Sequence, residues 1–204
     1  MKNRVIAVLA VAFVFALAWK AAEVPSHSAV IAAPPMVDSI AIAIPVAGIR
    51  ASQLRDNFSD ARAGHIHQAL DIMAARGTPV LAAVDGTIRK LFTRRAGGLT
   101  IYEFDRAGTL CYYYAHLDRY AFQLTEGKEV RRGDVIGYVG STGNAPANAP
   151  HLHFAMTVLP PTKEWWKGQA IDPYPILMQK GVTIGAERFE AQGSRLKSEL
   201  TIES

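Results

Sequence analysis

The sequence predicts a mostly β protein, in which an antiparallel sheet folds back on itself and few helices are present. From residue 79 onward, short segments rich in Val, Ile, Tyr, Phe and Thr follow one another closely. Glycine turns separate them, at Asp85-Gly86, Gly97-Gly98 and Arg132-Gly133-Asp134. Short strands with such turns are typical of sandwiches and barrels. The 204 residues are enough for one domain of ordinary size.

The N-terminal segment has the pattern of an export signal. Two basic residues precede an uncharged run from Val5 to Trp19, which at 15 residues is shorter than the ~20 that span a bilayer. Lys20 can reach the interface and lengthen that run, whereas Ala16-Leu17-Ala18 fits a signal-peptidase site. Residues 1–22 are therefore predicted to be a signal peptide or an N-terminal membrane anchor, with cleavage and retention both open.

The remaining chain divides by composition. Residues 23–42 are rich in Ala, Pro, Ser and Val and are predicted to be a linker. Residues 43–179 are predicted to form the domain, and residues 180–204 a polar C-terminal appendix.

Charge and cysteine content exclude several classes of protein. Of the 22 Lys and Arg residues, three lie before Glu23, so 19 basic residues face 18 acidic ones in the remainder. This near balance predicts no nucleic-acid partner, and Arg94-Arg95 is interpreted as a solvated turn. Cys111 is the only cysteine, which excludes an intramolecular disulfide. Among aromatic neighbours Cys111 is interpreted as a small buried apolar residue rather than a nucleophile.

The elements follow in order. The stretch from Asp56 to Arg76 is ambiguous, because its apolar residues could also form one face of a helix. Residues 79–84 and 87–92 are predicted to pair as a hairpin through Asp85-Gly86. Further strands are predicted at residues 99–104, 109–116 and 135–140, and a short one around Val130.

Histidines supply the candidate chemistry. Residues two apart on a strand share a face, so His151 and His153 point the same way, with Leu152 and Phe154 toward apolar neighbours. His67 and Asp71 share a face on a helix or a strand, and His65 competes as a ligand by the same parity. Imidazole and carboxylate are both good zinc ligands.

His116 ends a predicted strand. In an unbroken strand it shares a face with Tyr112 and Tyr114, while Cys111 lies on the other face. This argues against a Cys–His nucleophilic pair within that strand. Taken together, the histidines and Asp71 exceed the three protein ligands that a catalytic zinc site requires.

The pattern resembles peptidase family M23, the lysostaphin/LytM-type zinc endopeptidases of bacterial cell walls. The resemblance covers about residues 44–177 and extends to Trp165-Trp166 and Ile171-Asp-Pro-Tyr-Pro175, typical of exported Gram-negative members. The matching pieces, in order, are Phe58-x-x-x-Arg62, His67-Gln-Ala-Leu-Asp71, Gly77-Thr-Pro-Val, Ala83-x-Asp85-Gly86, Tyr113-Tyr-Ala-His116, Gly127-x-x-Val130-x-x-Gly133-Asp-x-Ile136-Gly, Gly140-Ser-Thr-Gly143-Asn and Pro150-His-Leu-His153-Phe. Ala69 stands where many members have glycine.

The resemblance implies a LytM-like antiparallel β core, related to barrel-sandwich folds, with a substrate groove and one Zn²⁺. It implies His67, Asp71 and His153 as metal ligands, and His116 and His151 as the catalytic pair, without deciding which is the general base. It favours an extended His67–Asp71 segment and places residues 140–150 along one groove wall. The implied activity is zinc-dependent hydrolysis of peptidoglycan stem-peptide cross-links in the periplasm or cell envelope, by a protein secreted or anchored to the inner membrane.

Two alternatives are weighed against this activity. A non-catalytic LytM-like binding or activator domain is disfavoured, because inert relatives usually lose ligands and all five positions are occupied here. A biotinyl/lipoyl-like module requires a modifiable lysine within Met-Lys-Met or Asp-Lys-Ala, and neither tripeptide occurs. The sequence predicts no oligomeric state.

Overall fold

The computed structural model describes residues 42–62 and 64–182, and strands dominate this part of the chain. The thirteen strands are β1 (Ile42–Ala43), β2 (Ala61–Arg62), β3 (His65–Ile66), β4 (Leu70–Met73), β5 (Pro79–Leu81), β6 (Gly86–Arg94), β7 (Gly98–Asp105), β8 (Leu110–Tyr120), β9 (Glu129–Val130), β10 (Val135–Val139), β11 (His151–Val158), β12 (Gln169–Ile171) and β13 (Gly181–Val182). A 3₁₀ turn covers Ala51–Gln53, and α1 covers Pro173–Lys180. The predicted fold class is confirmed: the protein is mostly β.

One large antiparallel sheet organises the domain. Its strands follow the order β12-β11-β8-β7-β6-β9. β4 pairs with β11, while β10 pairs with both β8 and β5. Two small pairs, the parallel β1–β13 and the antiparallel β2–β3, lie outside this sheet. β8, the longest strand with 11 residues, therefore has β11, β7 and β10 as partners.

Alternation along β8 and β11 builds the core. Tyr112 and Tyr114 of β8 and Leu152 and Phe154 of β11 are buried in one apolar cluster. The ring of Phe154 packs on both tyrosines, with centroids 6.3 and 5.4 Å apart. Burying an aromatic side chain of this size contributes roughly 1.5–3 kcal/mol. These contacts orient the opposite side of β11, which carries His151 and His153.

The turn between β7 and β8 shows how a single side chain sets strand pairing. Asp105 Oδ1 accepts hydrogen bonds from the backbone N–H groups of Thr109 (2.7 Å) and Leu110 (2.9 Å). Gly108 supplies the left-handed backbone conformation, at φ +61°. The turn starts β8 in register with β7, where Cys111 pairs with Phe104.

Two sequence interpretations of these elements are wrong. The helical alternative for residues 56–76 fails, because this stretch forms β2, β3 and β4. The hairpin through Asp85-Gly86 does not form, because β5 pairs with β10 while β6 pairs with β7 and β9. Local turn chemistry was outweighed by tertiary pairing, since the N–H of Ala82 donates to the carbonyl of Asp134 and not to β6.

α1 is a helix that no sequence pattern singled out. Asp172 caps it by accepting a hydrogen bond from the N–H of Tyr174 (2.9 Å), and Pro173 occupies the first turn, where proline is tolerated. Leu177 of α1 is fully buried.

The N-terminal predictions fall outside the described residues, as do His27 and most of the C-terminal appendix. Within the described residues, no helix has the length and apolar character to cross a membrane. The domain boundaries and the export signal stay predictions.

Candidate metal centre and active-site groove

Two adjacent strands, β4 and β11, bring the predicted ligands Asp71 and His153 together, and the third, His67, lies just before β4. β11 lies between β4 and β8, and His153 is the Cα partner of Asp71 on one side and of Ala115 on the other. Paired residues on antiparallel strands lie side by side with side chains on one face. The 82 residues that separate Asp71 from His153 along the chain are thus bridged by strand register.

The three ligand atoms form a compact triangle. His67 Nε2 lies 3.0 Å from Asp71 Oδ1 and 3.0 Å from His153 Nδ1, and His153 Nδ1 lies 3.1 Å from Asp71 Oδ1. Ligand distances of about 2.0–2.2 Å in a tetrahedral zinc site correspond to edges of about 3.3–3.6 Å. The triangle is close to one face of such a tetrahedron, so these residues fit a zinc ion.

Neighbouring groups fix the orientation of two ligands. His67 Nδ1–H donates to the backbone carbonyl of Asn57 (2.9 Å), which leaves the Nε2 lone pair for a metal. Arg62 donates to Asp71 Oδ2 (2.8 Å), which leaves Oδ1 directed at the two imidazoles. Asn57 Oδ1 also accepts the N–H of Asp71 (3.1 Å). All three contacts are of the kind that supports metal ligands in proteins.

The protonation states suit metal binding. Burial by itself would raise the pKa of Asp71, but hydrogen bonds and charge from His153 and His67 outweigh it and hold that pKa well below its ordinary value. Burial lowers the pKa of His153, although Asp71 opposes the shift. An ionised carboxylate and a neutral imidazole are the forms that bind zinc.

His151 and His116 lie beside this triangle, and each ring contacts a backbone carbonyl through Nδ1. His151 Nδ1 lies 2.8 Å from the carbonyl of Ala149, and His116 Nδ1 lies 2.8 Å from the carbonyl of Thr142. A carbonyl only accepts, so each Nδ1 carries a proton, and in the neutral ring each Nε2 has a lone pair. Burial, above all, lowers the pKa of His116 to about 4 and keeps its ring neutral.

The two imidazoles of the H-x-H motif are not equivalent. His151 Nε2 lies 3.8 Å from Asp71 Oδ1, outside hydrogen-bonding distance, whereas His153 Nδ1 lies at 3.1 Å. The His116 and His151 rings lie 5.0 Å apart between centroids. Strand parity brings both residues to the site, as the sequence analysis expected, and the local geometry separates them.

The predicted face of His116 is wrong, because β8 is not regular there. His116 has φ +62°, and the pairing of β7 with β8 shifts between Leu99 and Ile101. An irregularity of one residue moves the following side chains to the other face. His116 therefore lies with Tyr113 in the groove, while Tyr114 points into the core.

These residues line an open groove of about 550 Å³. One wall is the loop after β10, with Asn144, Ala145 and Pro146, as the family resemblance implied. Adjoining this loop are Arg94, at the end of β6, and Ala96 and Gly97 of the β6–β7 turn, which also line the groove. The shape is that of an accessible cleft over the metal-ligand triangle.

The structure also sorts the other candidates. His65 lies on the groove rim and is exposed, but the group able to hold a metal consists of His67, Asp71 and His153. Cys111 is buried beside Tyr102 and Leu159, which confirms it as a small buried residue, and burial raises the pKa of its thiol to about 12.

Sequence reasoning missed Arg94 and Tyr113 as groove residues. Arg94 was read as part of a solvated turn, and no local pattern indicates that its turn meets the loop after β10. Tyr113 could have been found, since it is odd-numbered like His151 and His153 and its strand pairs with theirs, but this required knowing the register.

The chain belongs to peptidase family M23, whose family model matches residues 65–173. It is 36% identical over 146 residues to the L-Ala–D-Glu endopeptidase of Bacillus subtilis, covering 68% of this chain and 41% of that protein. It is 38% identical over 117 residues to the DD-carboxypeptidase/endopeptidase Mpg of Neisseria meningitidis, covering 55% and 23%. The glycyl-glycine endopeptidase ALE-1 of Staphylococcus capitis is 35% identical over 119 residues, covering 58% and 31%.

Solved structures give the same assignment. The antimicrobial peptidase lysostaphin of Staphylococcus simulans matches with a TM-score of 0.54 and 28% identity, covering 67% of this chain and 54% of that one. LytU matches with a TM-score of 0.53 and 28% identity, covering 65% and 88%. The chain spans 41% or less of the length of the curated relatives named above.

Proposed function

We propose that this protein is a zinc-dependent endopeptidase that hydrolyses peptide cross-links of bacterial peptidoglycan. One observation carries the proposal. Three good zinc ligands meet within 3.0–3.1 Å at the floor of an open groove, beside two imidazoles whose Nε2 lone pairs are available.

His67 Nε2, Asp71 Oδ1 and His153 Nδ1 would hold the ion. Zinc, when bound, would polarise the substrate carbonyl and lower the pKa of the attacking water. Three protein ligands leave a coordination position open, as in catalytic rather than structural zinc sites.

Histidine side chains of the protein transfer the proton of the attacking water. Hydrolysis adds the water oxygen to the carbonyl carbon and transfers protons to the leaving nitrogen, which breaks the C–N bond. The Nε2 lone pair of His151 or His116 accepts a proton from the water. The resulting imidazolium donates a hydrogen bond to the developing oxyanion or passes the proton to the leaving amine. The carbonyls of Ala149 and Thr142 hold the two rings in this orientation.

Small side chains along the groove suit a peptide backbone. Ala96, Gly97 and Ala145 line the cleft, and their small side chains leave room for an extended chain. The three relatives named above carry the names of endopeptidases, one of them for an L-Ala–D-Glu bond, which supports stem peptides as the substrate. We place the protein in the periplasm or cell envelope, secreted or held at the inner membrane by residues 1–22, because that segment has the pattern of an export signal.

The test is mass analysis of muropeptides after incubation of purified peptidoglycan with the zinc-loaded protein. We expect cross-linked muropeptides to be converted to smaller species, one zinc per chain, and loss of activity with a chelator that zinc restores. The matched control is His151→Ala, which should retain zinc and release nothing. A zinc-loaded wild-type protein that leaves every cross-linked muropeptide intact would refute the enzyme and favour the non-catalytic binding domain.

A further inference from the structure

The side chains that line the groove carry more positive than negative charge. Among the described residues that line it, Arg62 and Arg94 are the arginines and Asp71 is the carboxylate. Asp71 is committed to the two imidazoles and to Arg62, which binds its Oδ2 at 2.8 Å. A metal ion at the triangle would add further positive charge. The groove is therefore suited to a substrate that brings negative charge with it.

Arg94 is the arginine available for such a substrate. Among the described residues no carboxylate lies within ion-pair distance of it, in contrast to Arg62. Its guanidinium interacts with the phenol of Tyr102. Burial raises the pKa of that phenol, and the interaction with Arg94 partly opposes the rise. Tyr102 in turn packs on Tyr113, with ring centroids 4.7 Å apart, and Tyr113 packs on His153 at 6.0 Å. An aromatic wall thus connects the Arg94 side chain with the metal-ligand triangle.

The backbone that carries Arg94 is tied to the catalytic residues. Ala96 accepts a hydrogen bond from the N–H of Asn144 (3.0 Å), and Gly97 accepts one from the N–H of His116 (2.8 Å). Gly98 has φ +63° and packs so closely that a Cβ there would lie 2.2 Å from Thr142 Oγ1. The β6–β7 turn therefore keeps a set position relative to His116, as a specificity residue requires.

We propose that Arg94 binds a carboxylate of the substrate, so that the enzyme selects stem peptides with a free carboxylate over amidated or neutral peptides. Guanidinium presents two parallel N–H donors that match a carboxylate, and this geometry gives specificity as well as affinity. The inference rests on the proposed function and assigns the substrate class within it.

The names of two relatives indicate two kinds of substrate, one with a free carboxylate and one without. The B. subtilis protein is named for a bond next to D-Glu, a residue that can carry a free carboxylate, whereas the S. capitis protein is named for a glycyl-glycine bond, which carries none. Arg94 places this chain with the first kind of substrate.

The experiment compares two synthetic stem peptides that differ in one group, a free carboxylate or its carboxamide. We expect zinc-loaded wild type to favour the carboxylate peptide in kcat/KM by about 10- to 100-fold, the range for a hydrogen bond to a charged group. Arg94→Gln should remove this preference by slowing cleavage of the carboxylate peptide alone. Arg95→Gln is the matched control, since Arg95 is also exposed but does not line the groove, and it should behave as wild type.

Calorimetric binding of both peptides to zinc-loaded His151→Ala, with and without Arg94→Gln, separates this inference from the enzymatic one. Selective binding that depends on Arg94 supports the inference even if no peptide is cleaved, in which case the peptidase proposal fails alone. Equal cleavage of both peptides by wild type, or an equal loss on both in Arg94→Gln, overturns the role of Arg94 while the peptidase stands. Absence of both selective binding and selective cleavage also overturns it.

Discussion

Glu103 makes the stability of this domain depend on pH in a calculable way. Its side chain is fully buried in the sheet, where it accepts hydrogen bonds from the hydroxyl of Tyr114 and the N–H of Ala83. Burial, the dominant influence, raises the pKa of Glu103 to about 8 despite the hydrogen bonds from Tyr114, Ala83 and Val84. We expect this carboxyl to be protonated in the folded protein at neutral pH.

The sign and size of this pH dependence follow from the difference in bound protons between the folded and unfolded states. The unfolded chain has the ordinary pKa of 4.5, so between about 4.5 and 8 the folded state holds a proton that the unfolded state lacks. The stability from this group is complete below about 4.5 and is lost as pH rises through about 8. Each pH unit inside this window costs about 1.4 kcal/mol of unfolding free energy. Between pH 6.5 and 8 the loss is about 2 kcal/mol.

Glu103→Gln removes the titration while keeping the shape. Urea unfolding of zinc-saturated wild type and variant at pH 6.5, 7, 7.5 and 8 gives the difference in unfolding free energy. We expect wild type to lose about 2 kcal/mol relative to Glu103→Gln over this range. The histidine shifts are shared by both proteins and cancel in the difference.

Glu126→Gln serves as the control for this measurement. Glu126 is exposed, and its hydrogen bond with Lys90 lowers its pKa, so it is fully ionised throughout this range. Wild type and Glu126→Gln should therefore lose stability in parallel. If wild type and Glu103→Gln also run in parallel, the buried carboxyl is not protonated in the folded state and the reasoning is refuted.

Three further predictions concern the site. His153→Ala should weaken zinc binding by more than about 100-fold, which exceeds the usual cost of losing a supporting contact. His151→Ala should bind zinc within about 10-fold of wild type but lose turnover. Equal zinc loss in a competition assay would make the two histidines equivalent ligands. Arg62→Gln should weaken zinc binding by about 10- to 100-fold, because the ligating carboxylate loses its orienting partner, and unchanged affinity would exclude that role. Gly98→Ala should destabilise the domain by more than Gly108→Ala, because both have positive φ but only Gly98 lacks room for a Cβ; equal losses in urea unfolding would contradict the close packing of the β6–β7 turn.

Much of the site could be predicted from the sequence because its signals are local. His151 and His153 lie two apart within β11, so strand parity alone puts both on one face. The sequence also paired His67 with Asp71, although in the structure His67 precedes β4 and Gln68 between them has φ +53°. The order of these motifs indicated the family, and the family model confirmed it. The burial of Leu152 and Phe154 opposite the imidazoles followed from the same alternation.

Tertiary structure decided what depends on distant partners. The left-handed backbone of His116 reverses the parity of β8, and no local residue pattern indicates it, because the bend is maintained by the β7 register and by Gly97. The pairing of β5 with β10 overrode a strong turn signal, because strand pairing depends on packing across the whole domain and not on the turn alone. Arg94 became a groove residue only through contacts between two turns 48 residues apart, Ala96 with Asn144. Alternation along a strand is a property of the chain, whereas which strands become neighbours is settled by the free energy of the assembled sheet.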